Sequence, residues 1–328
     1  MRIVKAPVPV VLALFLAACG SEPAPPPPSA SVGQPGGPAF DSAFWQVWGD
    51  GLAEVAAYDL IQPRYKAPRA GVAVTIFVSE PFSNSVRVKA DPGAHPPEDE
   101  FPVMKLNFLK DYQTGVYRYT EMQSSFVALK PVNARPSGSL TKVSFSSQEW
   151  CGHVFSQLLL DPASIRLMSH SYFDGEADEN RVLEYPADGV TEDSLMHWAR
   201  GMAWPVVEPG ETRTVPLLTS LATARETHSP VAWGQVRLSR GAETVRLTTP
   251  AGVIETEMAT ASINDGARTI AFHIEKAAPR RIVQWETNSG EKGVLLASDR
   301  MAYWQMNQPG GEEALKRLGL AQKPARTY

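Results

Sequence analysis

The sequence predicts a mainly β protein: one large antiparallel twisted sheet, built as a half-barrel or a sandwich, with a few short helices. Apolar residues alternate with polar ones over long runs, as in Val72, Val74, Ile76 and Val78 or in Ile270, Phe272 and Ile274, which turns one row of each strand to a core. Residues that tolerate positive φ separate such runs at Asn264-Asp265-Gly266 and Asn288-Ser289-Gly290. Stretches with the three-to-four-residue spacing of a helix are few. Many antiparallel strands with few helices bury their apolar faces by curling, by stacking two sheets or by forming an open barrel.

The chain begins differently. Arg2 and Lys5 precede an apolar run over residues 8–16 that ends in small residues, the layout of an export signal over residues 1–18. The run is much shorter than the about 20 apolar residues of a spanning helix. Leu16-Ala17-Ala18-Cys19 resembles the lipobox of bacterial lipoproteins, in which Leu, two small residues and Cys mark the cut site. The resemblance implies that Cys19 is the first mature residue, with diacylglycerol on its thiol and an acylated amino terminus. It also implies anchorage in the cell envelope, and in the outer membrane rather than the inner, because Gly20 and Ser21 follow the cysteine where Asp would favour inner-membrane retention. Each buried methylene adds about 0.8 kcal/mol, so several chains on one residue hold firmly. The alternative is an ordinary secretory signal with an incidental cysteine. Residues 19–40 form a tether whose four prolines, Pro25 to Pro28, and Gly-rich 32–37 segment bury too little to fold. Extended at about 3.1 Å per residue, it lifts the body roughly 50 Å off the membrane.

From 41 to 60 the residues Phe44, Trp45, Trp48, Leu52, Val55 and Leu60 recur at helical spacing, capped by Asp41 or Ser42 and weakened by Gly49 and Gly51. Period-two strands follow through Val78, and Val86 and Val88 continue beyond a Pro-Phe-Ser-Asn turn. Further strands are predicted at 103–109, 115–122, 140–146, 149–159 and 165–173, then a short helix over 191–202 with Leu195, Trp198 and Met202 on one stripe. Pro205 and Glu208-Pro209-Gly210 mark the best internal boundary, dividing the body into 41–204 and 205–328. In the second part Ile270, Phe272 and Ile274 oppose Thr269, Ala271, His273 and Glu275. The meander continues through 281–285 and 294–296, and 312–318 makes a last helical turn closed by Gly319. The order of signal, tether and antiparallel meander is similar to that of periplasmic lipoproteins built as curved half-barrels, which hold acyl chains or bind envelope partners. That likeness of layout transfers no ligand-binding residue.

The 328 residues carry a formal net charge of −4, and loss of Arg2 and Lys5 with the signal leaves 29 basic against 35 acidic residues, or −6. An acidic balance excludes nucleic acid as the expected partner. Cys19 and Cys151 are the two cysteines, so acylation of the first leaves the second without an intramolecular partner.

Glu149-Trp150-Cys151-Gly152-His153 is the stretch richest in reactive groups. On a strand, Cys151 and His153 share a face with Cβ atoms roughly 7 Å apart, and Glu149 joins their row. A thiolate nucleophile needs a base within about 3.2 Å and an electropositive setting. An envelope enzyme using Cys151 and His153 therefore requires a turn at Gly152; otherwise they are a free thiol and a hydrogen-bonded histidine. The same pair at i and i+2 suits a metal ion only if further ligands arrive, His170 being the nearest histidine in sequence. Asp174, Glu176 and Asp178 present oxygen ligands at alternate positions, as calcium requires. Their spacing departs from the helix-loop-helix calcium pattern, with Gly175 second and Tyr185 twelfth, so a solvated acidic loop is the plain reading. The tryptophans at 45, 48, 150, 198, 204, 233, 285 and 304 either build the core or line a groove for lipid or glycan. No phosphate loop, nucleophile elbow, H-E-x-x-H or paired C-x-x-C is present, and no cofactor is predicted. The expected function is a membrane-anchored binding or envelope-interaction module in the periplasm or at the cell surface, with a lipid, a glycan or an envelope protein as partner. The rivals are the Cys151/His153 enzyme and a purely structural envelope component.

Overall fold

The chain runs as a meander through β1 (Ala53–Arg64), β2 (Ala67–Ser83), β3 (Glu100–Thr114), β4 (Tyr117–Ala128), β5 (Leu140–Glu149), β6 (Gly152–Leu160), β7 (Ser164–Ser171) and β8 (Glu179–Glu184), each antiparallel to the next. It resumes with β9 (Val190–Thr191), β10 (Thr212–Leu218), β11 (Trp233–Arg240), β12 (Val245–Thr249), β13 (Gly252–Ile263), β14 (Arg268–Glu275), β15 (Ile282–Thr287) and β16 (Lys292–Met301). These elements come from a computed structural model that describes residues 36–321. Cys19 and the predicted export signal lie outside the described residues.

β16 pairs with β1, so both parts of the body belong to one large twisted sheet whose path runs from β8 through β1 and β16 to β10 and β9, with β12 alongside β13. Laid flat at about 4.8 Å per strand, that path would separate its two edges by about 65–70 Å. Residues 185–189 link those edges directly, and so short a link spans no more than about 20 Å. The sheet therefore curls until its edges nearly meet. It stays unclosed, and side chains bridge the seam: Arg181 donates to the Val231 carbonyl and Trp233 Nε1 to the Glu184 carbonyl, both at 3.1 Å. Tyr185 stacks on Trp233 with ring centroids 6.4 Å apart.

The first helix, α1 (Ser42–Trp48), is capped by Asp41, whose carboxylate accepts from the Phe44 N–H at 3.0 Å. It ends at Gly49 rather than continuing to residue 60, because the chain turns through Gly51 at φ +74° and enters β1. β1 is buried on both faces. Ala56, Tyr58 and Leu60 join the central core, while Ala53, Val55 and Ala57 pack with Met301 of β16 and with Leu318 of the C-terminal 3-10 helix Gly311–Leu318. Two buried rows erase the period of two, and the remaining apolar spacing imitates a helix. β2 runs through the segment expected to turn: Phe82 is buried against Phe101 and Phe126, and Val86 and Val88 are exposed beyond it rather than in a strand.

The predicted segment over 191–202 is the centre of the fold. A 3-10 turn, Glu192–Ser194, leads into α2 (Leu195–Ala199), and this short helix is enclosed by the curled sheet with Leu195, Trp198 and Met202 all buried. Its end is tied to β1 by Arg200, whose guanidinium bonds both oxygens of Glu54 at 2.7 and 2.9 Å. A third helix, α3 (Leu221–Thr227), joins β10 to β11, and Ser220 caps it by accepting from the Thr223 N–H at 3.0 Å.

Gly293 has a packing role. It stands opposite Trp285 in the ladder, and a Cβ there would lie 2.1 Å from an indole carbon. The absent side chain lets Trp285 lie across β16 and meet Tyr58 at 4.8 Å and Phe108 at 5.6 Å. Gly293→Ala is expected to destabilise the fold by about 1–3 kcal/mol through overpacking. A urea midpoint unchanged from wild type would remove this role.

Candidate functional site

The inner rows of β3 and β4 change character toward one end of the curl. Leu106 and Phe108 are followed in phase by Lys110 and Tyr112, and Tyr119 by Glu121 and Gln123. Register puts Lys110 opposite Glu121 and Tyr112 opposite Tyr119. The Lys110 ammonium donates to Gln62 Oε1 at 2.9 Å and lies 3.3 Å from Glu121 and 3.6 Å from Glu291. Burial pulls the Lys110 pKa down, but Glu291 and Glu121 outweigh it and hold the amine above its ordinary range. Tyr112 donates to Glu121 at 3.0 Å, and Trp285 Nε1 donates to Glu291 at 2.8 Å.

α3 supplies the opposite side. Glu226 accepts from Gln62 Nε2 at 3.1 Å, and burial raises its carboxyl pKa. Glu192 accepts from Thr223 Oγ1 at 2.9 Å and pairs with Arg268. Asp193 is 3% exposed, and burial pushes its carboxyl up to about 7. The Leu221 N–H approaches it, but no group completes a hydrogen bond with either oxygen.

Together these elements enclose a chamber of about 280 Å³, floored by Phe108, Phe272 and Trp285 and edged by the hydroxyls of Ser220, Thr223, Thr227, Thr287 and Ser289. The volume is just below the about 300–1,000 Å³ usual for small-molecule sites. The lining combines a few polar groups with aromatic walls.

The sequence-predicted residues lie elsewhere. Trp150 and Cys151 form the turn between β5 and β6, so the strand expected over 149–159 starts only at Gly152, and the Glu149-Cys151-His153 row does not exist. The Cys151 N–H donates to Glu149 at 2.7 Å, and hydrogen bonding to that carboxylate raises the thiol pKa, opposite to what activates a nucleophile. His153 pairs with Gln148 in the ladder. Asp174, Glu176 and Asp178 lie in the connection from β7 to β8. Asp178 meets His170 at 2.9 Å, and Glu176 pairs with His228 just after α3. Among the described residues no group of three His, Cys, Asp or Glu side chains is placed to hold a metal ion.

Trp198 and Trp285 are core residues, Trp45 and Trp48 of α1 pack against Phe77, Met104 and Leu106, and Trp150 is 73% exposed. Trp48 and Trp198 also border a second cavity of about 440 Å³, which Phe40, Phe44, Val206 and Val207 make more apolar. Sequence reasoning missed the chamber because its members come from four strands, three helical segments and the turn before β16. The readable signal was Lys110 and Glu121 standing in phase with buried rows. No family model, curated protein or solved structure matches the chain.

Proposed function

We propose that this chain is a lipid-anchored bacterial envelope protein whose β body binds a glycan in the chamber between α3 and the inner faces of β3, β14 and β15. The observation that carries the ligand class is the chamber's lining: Lys110, Gln123, Glu226, Arg268 and Glu291 supply donors and acceptors, and Phe108, Phe272 and Trp285 supply flat apolar walls. A sugar ring offers both kinds of surface. The central core leaves less room for acyl chains, since Tyr58, Trp198 and Trp285 fill the curl around α2. The lipobox at Cys19 supports the anchor.

Cys19→Ala is expected to move the protein from the membrane to the soluble fraction of lysed cells. Continued sedimentation with membranes after a carbonate wash would refute the acyl anchor. Native mass spectrometry of the protein released intact from its membrane tests the ligand. Adducts in hexose or hexosamine increments support the glycan reading. Adducts of fatty-acid mass favour a second reading, in which the apolar cavity beside α1 holds a lipid chain.

A further inference from the structure

Every exposed aromatic side chain among the described residues lies toward one end of the curled sheet. Tyr65 is in the turn from β1 to β2, Trp150 in the turn from β5 to β6, Tyr172 just after β7, and Phe155 early in β6. The β3 to β4 turn, at the same end of the meander, exposes Val116. These tips touch one another. Tyr117 donates to the Tyr65 hydroxyl at 3.3 Å and stacks on Trp150 at 6.2 Å, and Tyr172 lies across Gly152, where a Cβ would meet its ring at 2.6 Å. Turn chemistry does not ask for such residues. The other hairpins at this end reverse through Asn264-Asp265-Gly266 and Asn288-Ser289-Gly290, the small polar residues that a tight turn favours. Tyr65 instead adopts φ +54°, a left-handed conformation that a bulky side chain takes only at a cost.

We infer that this aromatic rim docks in the interfacial layer of a phospholipid bilayer, with Tyr65, Val116, Trp150 and Tyr172 entering it. Trp and Tyr favour that layer, because the ring meets acyl chains while the N–H or O–H meets headgroups. The choice of a bilayer rests on the acyl anchor proposed above. Pro38 lies beside Ser137, whose hydroxyl donates to its carbonyl at 2.7 Å, just before β5 and at the end away from the rim. The 10 residues of β5 climb from there to Trp150, about 33 Å. Residues 19–35 reach up to about 60 Å, so a chain fixed in the membrane at Cys19 is long enough to bring the far end of the body onto it. Lys66 and Arg118 at the tips are offset by Glu149, Asp174 and Asp178, which leaves the attraction to the rings. Rings alone attach reversibly, so Cys19→Ala still frees the protein on lysis.

The test uses the mature full-length chain with Cys19→Ala, which removes the acyl contribution, and vesicles of phosphatidylcholine alone or mixed equally with phosphatidylglycerol. The chain is expected to float with both to a similar extent. Trp150→Ser combined with Tyr172→Ser should lower the partition coefficient at least tenfold. Val253→Ser, at a side chain 64% exposed at the other end of the sheet, should leave it unchanged. Lipid brominated in its acyl chains should quench Trp150 fluorescence, read as the difference from Trp150→Phe. All these side chains are exposed, so the variants are expected to keep the wild-type urea midpoint. No flotation with either vesicle, undiminished partition of the double variant, an equal loss in Val253→Ser or an unquenched Trp150 overturns the rim. Flotation only with phosphatidylglycerol overturns attraction through the rings. The anchor is judged separately, by the carbonate wash described above, so its failure and that of the rim are told apart.

Discussion

Glu54→Ala is expected to cost about 3–5 kcal/mol of folding stability, a large share of the about 5–15 kcal/mol that holds a typical domain together. The Arg200 side chain is 0% exposed and Glu54 is 3% exposed, so removing the carboxylate strands a guanidinium where water cannot reach it. What remains around Arg200 is the Pro279 carbonyl at 2.8 Å and the faces of Phe77 and Trp48, 4.2 and 5.2 Å from its central carbon. Those contacts orient the group without neutralising it. The pair also fastens the enclosed helix α2 to β1, so its loss loosens the core from within. The double replacement Glu54→Leu with Arg200→Met removes both charges and should recover most of the loss, because well-packed apolar groups often replace a buried ion pair at no net cost. Urea denaturation of the three proteins decides it, read as a shift in midpoint at constant slope. A single-variant cost below about 1 kcal/mol would show that water reaches the pair.

Much of the sheet was legible because its strands have one wet face. Ile270, Phe272 and Ile274 are buried as their alternation implies, and the Asn-rich turns fall where two hairpins reverse. The cap at Asp41 and the stripe of Leu195, Trp198 and Met202 were equally readable, since both depend on local chemistry. The misreadings have local causes too. β1 packs on both faces and loses its alternation, while Glu179 and Asn180 look like the end of an acidic loop but begin the edge strand β8, which needs little apolar content. The chamber was hidden for a different reason. Lys110, Glu121, Glu226 and Glu291 are far apart in sequence, and each alone resembles an ordinary surface charge. What joins them is the curl of the sheet and the position of α3, which depend on long-range pairing.

Asp193→Asn is expected to stabilise the unliganded protein above neutral pH and to do nothing for it near pH 4. The folded carboxyl titrates at about 7 because burial disfavours its charge, against 3.8 for the ordinary group. Between those values the folded chain keeps a proton that the unfolded chain has released. Wild-type stability therefore falls as pH rises through that window, by about 4 kcal/mol in all at about 1.4 kcal/mol per pH unit. His197 works in the opposite direction. Its Nε2 donates to the Met104 carbonyl at 3.2 Å, its Nδ1 has no partner, and burial pulls it from 6.5 down to about 3. There the unfolded chain binds a proton that the folded one refuses, so stability is lost as pH falls from 6.5 toward 3. Where the windows overlap, the two slopes cancel in the wild type. Asn at 193 removes one of them, leaving a variant that gains on the wild type as pH rises and loses stability of its own on acidification. Urea midpoints taken at half-unit steps from pH 4 to 8 measure the gap. A gap independent of pH would mean that Asp193 titrates normally. If the gap opens as expected, burial of the Asp193 carboxyl lowers the stability of the fold at every pH above the ordinary carboxyl range.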